Sequence, residues 1–172
     1  FESGTPIRGG IPVCWPWFGS ASDRALPSHG FARIMPWDLQ STEYSSDVTE
    51  ARLSLSASEA TRRFWPYAFD LTLRVWLDQR LNLALTTVNR DARPFTFTQA
   101  FHPYFRVRQI MDVNVRGLDQ APCRDLLTNQ TGTQAGLLNI RAETDRVYTP
   151  LAPECVLHDP GIGRALALTY AG

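Results

Sequence analysis

The chain has 172 residues, 44% of them apolar and 20% charged, and its 17 basic residues, all arginine, balance 17 carboxylates. That length and balance describe a globular domain with a sizeable core. Zero net charge speaks against nucleic acid and membrane surfaces as partners, and no apolar run is long enough to span a bilayer. With no lysine available, any anion site must use guanidinium groups or backbone amides. Cys14, Cys123 and Cys155 lie far apart and fit neither a metal spacing nor a disulfide framework; they read as reduced thiols of a cytoplasmic protein.

The first segment, Pro6-Ile7-Arg8-Gly9-Gly10-Ile11-Pro12-Val13-Cys14-Trp15-Pro16-Trp17-Phe18-Gly19, continues into Ser28-His29-Gly30-Phe31-Ala32-Arg33. Glycine and proline suit neither helix interiors nor central strands. Tryptophans and low charge argue against disorder. Such a stretch reads as a rigid loop forming one wall of a binding site.

Period-two alternation then takes over. Val48 to Ser56 and Phe69 to Leu77 alternate as half-buried strands. Leu81 to Val88 follows after Asp78-Gln79-Arg80, which predicts a hairpin. Between the first two, Ser58 can cap one short helical turn through Phe64. Asn89 to Pro94 is a turn, and Phe95 to Ala100 is strand-like. Later strand candidates are Asp112 to Arg116, Ala135 to Ile140 and Arg164 to Tyr170. Many strands at short spacing predict an all-β sandwich or barrel. With no repeat or linker, residues 1–172 read as a single domain. The start at Phe1 and a strand reaching almost to Gly172 give the expectation of a chain truncated at both ends, with an uncovered strand edge inviting self-association.

Three histidines are available for chemistry. His102 follows a strand and precedes Pro103, which fixes the backbone where a site residue can be aimed rigidly. His29 sits in the loop beside Gly30, with Arg33 nearby. His158, in Leu157-His158-Asp159-Pro160-Gly161, reads as a turn residue with a structural role. No metal spacing and no nucleophile elbow occur. A histidine with a carboxylate as an acid–base pair remains. Asp145, in Glu143-Thr144-Asp145-Arg146-Val147-Tyr148, is one such carboxylate; an ion pair with its arginine neighbour is the competing account. Arg8, before Gly9-Gly10, and Arg33 could grip a phosphate or carboxylate bidentately, or could instead satisfy loop carbonyls.

These blocks, together with Phe64-Trp65-Pro66 and Phe101-His102-Pro103-Tyr104-Phe105, resemble the glucose-6-phosphate 1-epimerases, the hexose-6-phosphate mutarotases of the aldose 1-epimerase superfamily. The resemblance runs in order along nearly the whole chain. It implies an antiparallel β-sandwich of the galactose-mutarotase type and interconversion of the α and β anomers of a hexose 6-phosphate. It implies no cofactor. His102 then corresponds to the general acid that protonates the ring oxygen. His29 corresponds to a second histidine that hydrogen-bonds the sugar, Asp145 to a carboxylate on sugar hydroxyls, and Arg8 and Arg33 to the phosphate site. The family's general base is a glutamate on a late strand, in a stretch resembling Val-Cys-Val-Glu. No such stretch occurs here, and neither Glu143 nor Glu154 matches it. The alternatives are therefore a non-catalytic sugar-phosphate-binding module or an inactive fragment lacking that glutamate.

Overall fold

A computed structural model describes residues 9–21, 23, 25–149 and 154–170. The chain divides into two compact units, Phe1–Tyr104 and Phe105–Gly172. The alternating segments form the frame of the first. Strands β2 (Asp38–Tyr44), β3 (Thr49–Ser56), β4 (Phe69–Leu77) and β5 (Leu81–Asn89) make an antiparallel meander in sequence order; β1 is Val13–Cys14. The register pairs Leu53 with Leu73 and Leu73 with Leu85, so one face carries an apolar row. The opposite face is polar. There Glu50, almost fully buried, forms ion pairs with Arg52 at 2.7 Å and Arg74 at 2.6 Å. Arg74 also lies over the Trp76 ring.

The predicted helical turn is α1 (Glu59–Arg62), closed by a capping box in which Ser58 and Thr61 satisfy each other's backbone amides. It orients Phe64 and Trp65, which pack against the core of Val13, Trp15, Phe31, Ala32, Leu55, Phe69 and Leu71. Trp15 is its centre, with ring centroids 5.7 Å from Phe31, 5.0 Å from Trp65 and 4.5 Å from Phe69. Burying side chains of this size contributes roughly 1.5–3 kcal/mol each, with edge-to-face contacts adding to that. The irregular first loop is held rigid because its own tryptophan fills the core.

Expected strand Phe95 to Ala100 is shorter than predicted. Only β6 (Ala100–Phe101) forms, pairing with β1. The second unit has short strands: β7 (Asn114–Arg116), β8 (Pro122–Asp125), β9 (Thr131–Thr133), β10 (Leu138–Asn139), β11 (Arg146–Tyr148), β12 (Glu154–Asp159) and β13 (Arg164–Thr169). They form sheets ordered β10-β7-β12-β13 and β11-β8-β9, all antiparallel. No helix among the described residues is long and apolar enough to cross a membrane. The three cysteines are free thiols.

Candidate active site

Strand pairing places the candidate residues of the first unit. From the β1–β6 ladder, His102 N–H donates to the Pro12 carbonyl and Tyr104 N–H to the Gly10 carbonyl, both at 3.0 Å. These bonds lay the His102-Pro103-Tyr104 segment along the first loop. Ahead of β6, Thr98 N–H donates to the Pro16 carbonyl at 3.0 Å, and Phe18 N–H donates to Thr98 Oγ1 at 2.9 Å.

The return limb of the loop closes on the same stretch. His29 N–H donates to the Gly19 carbonyl at 2.7 Å, and Gly19 N–H donates to His29 Nδ1 at 3.1 Å. His29 has φ 63° and Gly30 φ 74°, two consecutive left-handed residues. That turn sets Gly30 against Trp15 in a parallel bridge and directs the His29 ring toward His102, with centroids 5.9 Å apart. Arg33 lies one turn on, within a single 3-10 turn, Ala32–Ile34. It is exposed, and its Nη2 donates to the Ser28 carbonyl at 2.6 Å. The guanidinium thus does part of what the loop-carbonyl account expected, while its other donors remain available by count.

Electrostatics bear on His29. Burial, then the nearby Arg33 charge, then His102, push the His29 pKa down from its ordinary value. His29 is therefore neutral at physiological pH. The His102 Nδ1 is buried and meets no hydrogen-bond partner among the described residues. Below them Cys14 is fully buried; burial raises its thiol pKa against a smaller lowering by Arg33. A protonated, inaccessible thiol is not a nucleophile.

Arg8 lies outside the described residues. Asp145 stands in the second unit, exposed, immediately before β11. Arg146 gives its Nε to Asp125 Oδ2 at 3.2 Å, across the β8–β11 pair. The competing account for Asp145 thus loses its partner's closest contact to another carboxylate. Glu143 and Glu154 are both exposed in the same unit. His158 is not a turn residue: it lies within β12, with Nδ1 3.5 Å from Asn114 Nδ2. The turn signal belongs to the residues after it, where Asp159 caps the 3-10 turn Pro160–Ile162.

Two neighbours were not singled out from sequence. The Phe18 ring, 47% exposed, lies 4.9 Å from His29. The Tyr104 ring lies 4.9 Å from His102. Both sit inside the motifs that carry the histidines, so adjacency was the available signal. Together the first unit presents a neutral imidazole, a second imidazole, two aromatic rings and a guanidinium. Among the described residues, no three His, Cys, Asp or Glu side chains converge as a metal-binding group.

The family profile described as aldose 1-epimerase matches residues 1–171. A protein from Salmonella typhimurium named "Putative glucose-6-phosphate 1-epimerase" is 36% identical over 99% of this chain and 57% of its own length. Its namesake from Escherichia coli K12 gives the same three figures. The crystal structure of the Salmonella mutarotase-like protein YeaD superposes with a TM-score of 0.89 at 35% identity, covering 98% of this chain and 56% of that one. The antiparallel fold is thus that of the galactose-mutarotase type, and the chain spans a little over half the length of these relatives.

Proposed function

The chain belongs to the aldose 1-epimerase family, and from that premise we propose that it interconverts the α and β anomers of a hexose 6-phosphate, glucose 6-phosphate foremost. The observation that carries the reading is the pair of imidazoles, 5.9 Å apart, on a wall that also bears Arg33. Opening a pyranose requires a proton on the ring oxygen and removal of one from the anomeric hydroxyl. His102 is assigned the first task. His29, neutral, holds a sugar oxygen by hydrogen bonding. Asp145 is assigned to sugar hydroxyls, and Arg33 with Arg8 to the phosphate. Once open, the aldehyde rotates about its neighbouring bond and recloses on the other face. Protonation states then return to their start, and no cofactor is consumed. The reading treats residues 1–172 as the central part of one mutarotase-like domain acting in the cytoplasm.

The proton acceptor is assigned to no residue of this chain, because Glu143 and Glu154 do not match the family's stretch. This favours keeping a second reading, a sugar-phosphate-binding module without turnover. One experiment separates them. In a protein of its relatives' length, His102→Asn is expected to slow anomer exchange of glucose 6-phosphate about 10²–10⁴-fold, with the β-sheet circular dichroism unchanged. Exchange NMR reads the rate. A variant that exchanges at the normal rate removes His102 from the mechanism. A parent protein that binds the sugar phosphate without turnover establishes the module.

A further inference from the structure

We propose that the Phe18-Gly19 segment is a positioning clasp that fixes His29 in its Nε2–H tautomer, making His29 a permanent hydrogen-bond donor and leaving proton transfer to His102. The inference deepens the proposed function and rests on it for the identity of the acceptor, a sugar oxygen.

The donor to His29 Nδ1 is a backbone amide, that of Gly19, at 3.1 Å. An amide N–H cannot accept, so Nδ1 must present its lone pair, and the proton of the neutral ring must sit on Nε2. The ring has little freedom to abandon that bond. Its own backbone N–H is held by the Gly19 carbonyl at 2.7 Å, giving a reciprocal pair between the two residues. The Phe18 ring packs beside the imidazole at 4.9 Å, and Phe18 N–H is anchored on Thr98 Oγ1 at 2.9 Å. Histidine at φ 63° is an uncommon conformation that the surrounding bonds sustain. Placing a proton on Nδ1 would break the Gly19 bond and set an N–H against an N–H. Adding a second proton to the Nε2–H ring would in turn place a cation beside Arg33 and His102, the charged and titratable neighbours that act on this ring. The clasp thus selects the tautomer, and the neighbouring charges oppose the imidazolium.

The test is the long-range ¹H–¹⁵N correlation spectrum of the imidazole rings at pH 7, with His29 assigned by the signals lost in His29→Asn. Expected for His29 is a protonated Nε2 and an unprotonated, hydrogen-bonded Nδ1. In Thr98→Val, which removes the anchor of Phe18, the Nδ1–H tautomer is expected to gain population. A His29 that is Nδ1–H, evenly mixed or charged in the parent protein overturns the proposal, whatever Thr98→Val does. The spectrum needs no turnover, so its failure leaves the anomerase reading standing. Conversely, normal exchange by His102→Asn would sink that reading and leave the tautomer result intact. A functional arm adds the conservative replacement. His29→Gln keeps a donor near the Nε2 position and is expected to retain glucose 6-phosphate binding better than His29→Ala; equal losses in both overturn the donor role.

Discussion

A β-carbon at Gly30 would stand 2.0 Å from the Trp15 carbonyl oxygen and 2.3 Å from its carbonyl carbon, at a φ of +74° that L side chains rarely adopt. Both obstacles are backbone and cannot swing aside. Gly30→Ala is therefore expected to cost more than about 3 kcal/mol, read as a lower denaturant midpoint, and to disturb His29 next door. A stability within about 0.5 kcal/mol of the parent would show that the Trp15–Gly30 bridge is not what sets the loop. Arg33 permits a sharper question, because its bond to the Ser28 carbonyl gives it a structural task beside the proposed one. If the guanidinium also grips phosphate, a charge-assisted contact is lost in Arg33→Ala. Binding of glucose 6-phosphate should then weaken about 10–100-fold while binding of free glucose changes little. Equal losses in isothermal titration of the two sugars would assign Arg33 to the loop alone.

Among elements, the turn after β5 ties sequence to stability most directly. The Asp91 carboxylate accepts from Ala68 N–H at 3.0 Å, just before β4, and from Arg93 at 3.1 Å through both its backbone and its Nε. Those bonds, the Arg93 side chain first, hold the Asp91 pKa at about 2 against 3.8 for an ordinary aspartate. The folded state thus binds this proton less readily than the unfolded one. Its stabilisation is fully present above the unfolded pKa and is lost as pH falls toward the folded value. The difference in urea midpoint between the protein and Asp91→Asn should accordingly shrink between pH 5 and pH 2. A gap that stays constant across that range would mean the bonds matter for shape and not for charge. This turn was readable in advance, since Asn89-Arg90-Asp91-Ala92-Arg93-Pro94 is rich in turn formers, and so were β3, β4 and β5. Their alternation is long, and each adds a leucine to the row Leu53-Leu73-Leu85. In the second unit β7, β10 and β13 fall within the predicted spans Asp112 to Arg116, Ala135 to Ile140 and Arg164 to Tyr170. By contrast, β8, β9 and β11 escaped because three or four residues are too few for a period to show, and β12 because Cys155-Val156-Leu157 does not alternate. β2 escaped for another reason: seven residues with a single half-buried position leave no apolar rhythm. For the site, His29 and His102 could be found because glycine and proline mark their turns. The contact between them could not, because it depends on a β1–β6 pairing separated by more than eighty residues.

The molecule as a whole raises the question of what 172 residues can do when the relatives are longer. The chain spans 57% of the two bacterial relatives, and no stretch of it matches the one in which the resemblance places the proton acceptor. It nonetheless carries the imidazole pair, the aromatic neighbours and Arg33 within one unit. Binding and acid catalysis should therefore separate from base catalysis. Residues 1–172 alone are expected to exchange the anomers of glucose 6-phosphate about 10²–10⁴-fold more slowly than a relative-length protein, the contribution of one positioned proton acceptor. The surface carries a second expectation. Tyr44, Leu77 and Leu81 are 87%, 55% and 56% exposed along one end of the β2–β5 meander, where the register brings them into a single row with Thr49. An exposed apolar row on a sheet favours association, so light scattering on the 19.3 kDa chain should give a mass that rises with concentration. Replacing Leu77 and Leu81 together by lysine should suppress that rise without touching the histidine wall. A monodisperse chain with full exchange activity would contradict both expectations, and it would place the proton acceptor within residues 1–172, with Glu143 and Glu154 the first carboxylates to replace.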